Sequence, residues 1–184
     1  MIYRFLSRIV LVLFISLSTI AQTVTVKIIE TSDVHGAIFP YDLKEEKETN
    51  SSLARVMTYL KEQRADTNQI VFLLDNGDIL QGDPVVYYYN FEKTDTIHLY
   101  ADVMNYMQYD AATIGNHDIE TGHDVYDKFN KEINFPWLAA NAINTETNQS
   151  YFKPYTTIER GGVKIAVLGL ITPAIPQWLP KKIW

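Results

Sequence analysis

The sequence has 184 residues, a formal net charge of −6, 47% hydrophobic residues and no cysteine. A chain of this length forms one domain with its own core, and its acidity argues against DNA or RNA as a surface partner. The lack of cysteine excludes disulfide bonds, thiolate metal sites and a cysteine nucleophile.

The first 21 residues have the order of a secretory signal peptide. Arg4 and Arg8 lie before an apolar run over residues 9–17, and Ala21 supplies a small residue for cleavage. The apolar run is too short to cross a bilayer comfortably. An anchor that is never cleaved is the alternative. We expect a secreted or periplasmic domain over residues 22–184, with the signal peptide as its only link to a membrane.

Strand-like and helix-like segments alternate from residue 23 onward. Composition and apolar spacing predict strands over 23–29, 70–74, 111–114, 137–142, 156–158 and 164–170, and helices from Ser51 onward, over 94–106 and over 124–131. We expect Asn50 or Ser51 to cap the first helix, and residues 41–50 to form a solvated loop or the approach to that helix. The order β-α-β-α-β-α-β, followed by a hairpin, predicts an α/β fold with a largely parallel central sheet.

Three polar clusters follow three of the predicted strands. They cover residues 33–36, 76–82 and 115–118. The loops beyond the carboxyl ends of parallel strands converge on one crevice, so we expect these clusters to meet there. Asp33 and His35 would alternate on a strand and point to the same face.

Each cluster alone is compatible with an ordinary turn or cap. Together they supply carboxylate, amide and imidazole donors, a set that suits Zn, Mn or Fe in a mixed-ligand site. A single carboxylate such as Asp78 can bridge two ions, and neighbouring glycines let the backbone turn sharply there.

The three blocks D-x-H, G-D-x-x-x-G and G-N-H-[DE], in this order, resemble the calcineurin-like metallophosphoesterases. An exported chain with D-V-H-G, G-D-x-x-Q-G and G-N-H-D is similar to the bacterial 5′-nucleotidases and 2′,3′-cyclic-nucleotide phosphodiesterase/3′-nucleotidases. The resemblance covers about residues 24–170. It implies a layered α/β sandwich that binds two divalent metal ions (Zn, Mn or Fe).

The resemblance also assigns roles to six side chains. The implied metal ligands are Asp33, His35, Asp78 and Asn116, with Asp78 bridging both ions. His117 matches the catalytic histidine, which faces the phosphate. The family has an aspartate three residues later to orient that histidine, whereas this chain has Glu120.

The implied reaction is hydrolysis of nucleotide phosphate esters by a hydroxide bound to the two ions. Nucleotides or other small phosphate esters are the expected partners, and a nucleic acid polymer is not. The family adds histidines from later blocks, but this sequence has no histidine after His123. We therefore expect residues 22–184 to be the N-terminal part of a catalytic domain, incomplete at its C-terminus just after a central strand.

Two alternatives stay open. One is a non-catalytic remnant or binding module that lacks the later ligands, and the other is a phosphoesterase for other monoesters. His98 and His123 are expected to be structural, and Asp75 and Asp83 to be turn residues rather than ligands.

Overall fold

The computed structural model describes residues 23–184. The predicted signal peptide therefore lies outside the described residues. Within the described part of the chain, none of the helices combines the length and apolar character that crossing a membrane requires.

Four parallel strands form the main sheet, as the alternating pattern predicts. The strands of the described residues are β1 Thr25–Thr31, β2 Tyr41–Asp42, β3 Lys47–Glu48, β4 Gln69–Asp75, β5 Ala111–Thr113, β6 Trp137–Leu138, β7 Ile143–Asn144, β8 Gln149–Ser150, β9 Tyr155–Arg160 and β10 Val163–Leu168. The order of the main sheet is β1-β4-β5-β6, which is also the order of these strands along the chain. Thr31 pairs with Asp75, so β1 and β4 end level with each other.

Helices connect the strands of this sheet and bury one face against it. The helices are α1 Leu53–Ala65, α2 Pro84–Tyr87, α3 Leu99–Met107, α4 Asn116–Glu120, α5 His123–Glu132 and α6 Ile175–Trp178, and a π-helical turn over Tyr88–Glu92 continues α2. Leu60, Met104 and Phe129 are almost fully buried between helices and sheet. Because β4 is a central strand covered by helices, its apolar run is continuous rather than alternating.

The ends of two helices differ from the prediction. Ser52, rather than Asn50 or Ser51, caps α1 and accepts a hydrogen bond from the N–H of Arg55. Helix α3 begins at Leu99, five residues later than predicted, because His98 is its N-cap. Its ring nitrogen accepts the N–H of Tyr100 at 3.1 Å, which ends the upstream continuation of the helix.

One loop prediction and one strand prediction also need correction. Residues 41–50 are not a plain loop, because β2 and β3 pair there as a short hairpin. The strand predicted over 164–170 is not central, since β10 pairs with β9 in a separate two-stranded antiparallel sheet. The predicted hairpin between these two strands is confirmed. Arg160, at its turn, stacks over the ring of Phe72 in β4.

Candidate metal centre

The loops that follow β1 and β4 run side by side beyond the ends of their strands. The N–H of Asp33 donates to the carbonyl of Gly77 at 3.1 Å, and the N–H of His35 donates to the carbonyl of Asp78 at 3.0 Å. These backbone bonds continue the register of the parallel pair, so the first two predicted clusters lie against each other.

The third cluster is attached to the second through the buried carboxylate of Asp118. One oxygen accepts the N–H groups of Ile79 and Leu80, at 2.7 and 2.8 Å. The other accepts those of Asp78 and Gly115, at 3.0 and 2.8 Å. Burial raises the pKa of Asp118 to about 6, against the backbone N–H groups that favour its ionised form. All four accepting positions of this carboxylate are therefore used to join two loops.

Three of the predicted site residues have left-handed backbone conformations. The φ angles of Asp33, His35 and Asp78 are 52°, 48° and 60°. The prediction that Asp33 and His35 alternate on a strand is wrong, because β1 ends at Thr31 and both residues lie in the turn beyond it. Positive φ costs a residue with a side chain about 1–3 kcal/mol, and such strain concentrates at functional sites.

Glycines make the close approach of these loops possible. A Cβ atom on Gly115 would lie 2.1 Å from Oδ1 of Asp78, and one on Gly77 would lie 2.5 Å from the backbone nitrogen of Gly115. Gly77 also has a φ of 89°. Gly115 is thus required for space, and Gly77 for both space and backbone conformation.

His35, Asp78 and His117 come together at the centre of this arrangement. Each offers one ligand atom, and the three atoms lie within 4.8 Å of one another. The rings of the two histidines meet edge to face with centroids 5.2 Å apart. Nδ1 of His35 lies 3.0 Å from the carbonyl of Gln81. A carbonyl only accepts hydrogen bonds, so Nδ1 carries the proton and Nε2 keeps a free lone pair.

Glu120 orients His117 through a hydrogen bond between their side chains. Oε2 of Glu120 accepts from Nδ1 of His117 at 2.9 Å and from the amide of Gln81 at 2.9 Å. Burial lowers the pKa of His117, but the hydrogen bond and charge of Glu120 outweigh it, so this pKa is raised. Burial alone would raise the pKa of Glu120, but its hydrogen bonds with His117 and Gln81 outweigh burial and lower this pKa. The pair therefore favours an imidazolium beside a carboxylate.

Asp33 and Asn116 lie at the edge of this centre. Asp33 is exposed, and its carboxylate accepts a hydrogen bond from the hydroxyl of Ser32. Asn116 is the first residue of α4, and its amide lies 3.5 Å from Oε1 of Glu120. Their roles as metal ligands stay predictions.

The donor chemistry of the centre fits a divalent metal ion. A carboxylate oxygen of Asp78 and an imidazole nitrogen of His35 are donors that Zn, Mn and Fe accept. The hydrogen bond from Nδ1 of His35 to a backbone carbonyl is the partner that metal-binding histidines commonly have. The neighbouring carboxylates of Asp33 and Glu120 add negative charge that favours a cation. His35 and Asp78 therefore suit one ion, with His117 facing it.

Sequence reasoning did not assign functions to two residues that organise the centre. Asp118 has no predicted role beyond its place in the third block, and the structure shows its carboxylate accepting the N–H of Gly115, the N-cap of α4. Gln81 touches His35 through its carbonyl and Glu120 through its amide. No local pattern marks such a double contact, because its partners lie 46 and 39 residues away.

Asp75 is not the turn residue that was expected. It is the last residue of β4 and is buried, and it accepts hydrogen bonds from Thr31 at 2.5 Å and from the N–H of Gly77 at 2.8 Å. Burial raises its pKa to about 7. The hydroxyl of Thr31 also bonds that of Tyr109 at 2.8 Å. Asp83, the other residue in that prediction, is the N-cap of α2.

His123 lies outside the centre, as expected. Its Nδ1 is 3.1 Å from Asp127 and 3.1 Å from the hydroxyl of Tyr151. These contacts join the start of α5 to the segment after β8, which is a structural role.

Comparison with known proteins gives one family. The sequence model described as calcineurin-like phosphoesterase matches residues 26–179. The trifunctional nucleotide phosphoesterase protein YfkN of Bacillus subtilis is 34% identical over 179 residues, which are 89% of this chain and 12% of that protein. A 2′,3′-cyclic-nucleotide 2′-phosphodiesterase/3′-nucleotidase of Haemophilus influenzae is 29% identical, covering 84% of this chain and 25% of that protein.

Solved structures that superpose on this chain include phosphoesterases and nucleotidases. The crystal structure of calcineurin-like phosphoesterase YfkN from Bacillus subtilis superposes with a TM-score of 0.73 at 32% identity, covering 85% of this chain and 51% of that one. A 5′-nucleotidase precursor from Thermus thermophilus gives 0.64 at 26% identity, covering 81% and 29%. The chain thus spans a quarter or less of the two curated relatives named above.

Proposed function

The chain belongs to the calcineurin-like phosphoesterase family, and from that premise we propose that it carries part of the active site of a metal-dependent nucleotide phosphoesterase. The reaction is hydrolysis of a phosphate ester of a nucleotide, of the 5′-nucleotidase or cyclic-nucleotide phosphodiesterase type. Two similar proteins are named for nucleotide phosphoester hydrolysis. The order of residues 1–21 supports export to the periplasm or the outside of the cell.

The observation that carries this proposal is the meeting of ligand atoms of His35, Asp78 and His117 within 4.8 Å of one another. His35 and Asp78 lie in the loops after β1 and β4, and His117 lies at the start of the helix that follows β5. Each histidine has its Nδ1 engaged by an acceptor, at 3.0 Å for His35 and 2.9 Å for His117. Both Nε2 atoms are therefore left to face a ligand. A histidine with only a packing role does not need this arrangement.

The residues that would hold two metal ions in this proposal are Asp33, His35, Asp78 and Asn116. When bound, divalent ions lower the pKa of a water molecule and neutralise phosphate oxygens. His117 acts from its own side of the centre. Because Glu120 raises the pKa of His117, an imidazolium is available to stabilise negative charge or to protonate the leaving ribose oxygen, a contribution of about 10²–10⁴-fold.

Phosphate release from AMP and from 2′,3′-cyclic AMP, with added Mn²⁺ or Zn²⁺, tests the proposal. We expect Asp78→Asn to lower the rate by more than the ~10–100-fold that is typical for loss of a group that merely supports a metal ligand. Asp102→Asn is the matched control, because Asp102 is an exposed aspartate of α3. Equal rates in wild type and Asp78→Asn would reject the proposal.

A non-catalytic module that binds metal through His35 and Asp78 is the alternative. Such a module would bind metal without releasing phosphate from either nucleotide. The same preparation distinguishes the two functions, since the assay reports turnover and a calorimetric titration with Mn²⁺ reports binding.

A further inference from the structure

The π-helical turn after α2 places a buried asparagine against the loop that carries Asp78. The turn covers Tyr88–Glu92, with the N–H of Lys93 donating to the carbonyl of Tyr88 at 2.8 Å. Asn90 is 6% exposed, and its amide Nδ2 donates to the carbonyl of Leu80 at 2.7 Å. Short π-helical segments are rare and occur often at functional sites.

His98 fixes the orientation of this amide. Nδ1 of His98 accepts the N–H of Tyr100 at 3.1 Å. The ring is buried, which lowers its pKa to about 4, so the neutral ring carries its proton on Nε2. That proton is donated to Oδ1 of Asn90 at 3.0 Å. Nδ2 of Asn90 must then be the atom that faces Leu80.

The carbonyl of Leu80 belongs to the loop that supplies the centre. The N–H of the same residue is held by Asp118. The next residue, Gln81, bonds Nδ1 of His35 through its carbonyl and Glu120 through its side chain. Asn90 therefore holds the peptide group directly before the one that orients a predicted metal ligand and the partner of His117.

We propose that Asn90 is a positioning residue for the metal centre, acting through its hydrogen bond to the carbonyl of Leu80. It fixes the Leu80–Gln81 peptide, so that the Gln81 carbonyl stays within reach of His35 and the Gln81 amide within reach of Glu120. This inference rests on the proposed function. Asn90 touches neither metal nor substrate in it.

A packing role alone does not account for Asn90. Burying an amide has a cost unless each polar atom is bonded, and an aliphatic side chain fills the same space without it. Nδ2 of Asn90 bonds the carbonyl of Leu80 in the loop over residues 76–82, and Oδ1 bonds His98, the N-cap of α3. The asparagine thus links the start of a core helix to the loop.

Asn90→Leu and Asn90→Asp test this link in the full-length protein. Asn90→Leu removes both hydrogen bonds. Asn90→Asp keeps the acceptor for His98 and replaces the donor to Leu80 by an oxygen. We expect both variants to raise the Kd for Mn²⁺ by about 10–100-fold. We also expect hydrogen exchange of the Ile79 and Leu80 amides to rise at least about tenfold.

Asn105→Leu is the matched control. Asn105 is a half-buried asparagine of α3 that also joins two backbone groups, since its amide donates to the carbonyl of Glu132 at 2.8 Å and its oxygen accepts the N–H of Asn134 at 2.8 Å. Neither of these hydrogen bonds involves the loop over residues 76–82. This variant should lower the thermal midpoint without changing Mn²⁺ affinity or exchange of the two loop amides.

The outcomes separate this inference from the proposed function. Wild type that binds no Mn²⁺ overturns the proposed function and the role of Asn90 with it. Wild type that binds Mn²⁺, with Asn90 variants that bind and exchange like Asn105→Leu, overturns the inference alone. If Asn90→Leu does not fold, Asn90→Asp decides by the same two measurements.

Discussion

At the residue scale, the geometry of the centre depends on Asp118, a side chain that takes no direct part in the proposed chemistry. It is completely buried, and its two oxygens accept four backbone N–H groups from two loops. One of those N–H groups belongs to Asp78, the predicted bridging ligand. The loops hold their relative positions because both are tied to the same carboxylate.

Asp118→Asn should lower the free energy of unfolding by about 3 kcal/mol. The amide group of asparagine points donors at two backbone N–H groups that previously had an acceptor, and each unsatisfied buried donor costs about 1–3 kcal/mol. Urea denaturation of both proteins measures the difference.

The control for this change is Asp124→Asn. Asp124 is exposed in the first turn of α5, so the same chemical change there should stay within about 0.5 kcal/mol of wild type. Equal stability of Asp118→Asn and Asp124→Asn would contradict the role of Asp118.

Single residues were predictable where a motif identified them and not where their partners are distant. His35, Asp78 and His117 were all singled out from the order of the blocks, and the structure brings them together. Asp118 and Asn90 were given no role, since their partners are backbone groups in a loop about 40 and 10 residues away. Backbone partners leave no trace in side-chain patterns.

At the scale of elements, the helix ends follow from capping chemistry. Ser52 is 6% exposed and its hydroxyl accepts the N–H of Arg55 at 3.3 Å. Ser51 is exposed, and only its backbone N–H bonds Thr49. Two adjacent serines at a helix start cannot be distinguished by residue type, so the sequence alone did not identify the cap.

Ser52→Ala should lower the free energy of unfolding by about 1 kcal/mol, because loss of the hydroxyl leaves the N–H of Arg55 in α1 without its acceptor. Ser51→Ala, the adjacent control, should have little effect. Chemical denaturation of the two variants measures the difference. A larger loss in Ser51→Ala would mean that α1 begins one residue earlier than the structure has it.

The segment over Pro84–Glu92 shows why one helical element was not predicted. Val85, Val86 and three consecutive tyrosines favour strands by composition. The N–H of Val85 donates to the carboxylate of Asp83, the N-cap, and this hydrogen bond starts a helix despite the preference. Burial of Val86 and Asn90 on one side then holds it in place, so tertiary contacts decide the outcome.

At the scale of the whole molecule, the order of the sheet determines where the candidate centre lies. Strands β1, β4 and β5 are parallel neighbours, so the loops after them leave from the same edge. This was predictable, because alternation of strands and helices implies a parallel sheet whose carboxyl ends share a crevice. The position of the β9–β10 hairpin was not predictable, since its contacts with β4 depend on packing between distant segments.

The central claim is that this shared edge forms a metal centre around His35 and Asp78. Crystals grown with Mn²⁺ or Zn²⁺, measured at the absorption edge of the metal, test it most directly. We expect an anomalous peak at about 2.0–2.2 Å from Nε2 of His35 and from a carboxylate oxygen of Asp78. A metal peak elsewhere on the chain, with these two side chains free of it, would contradict the account.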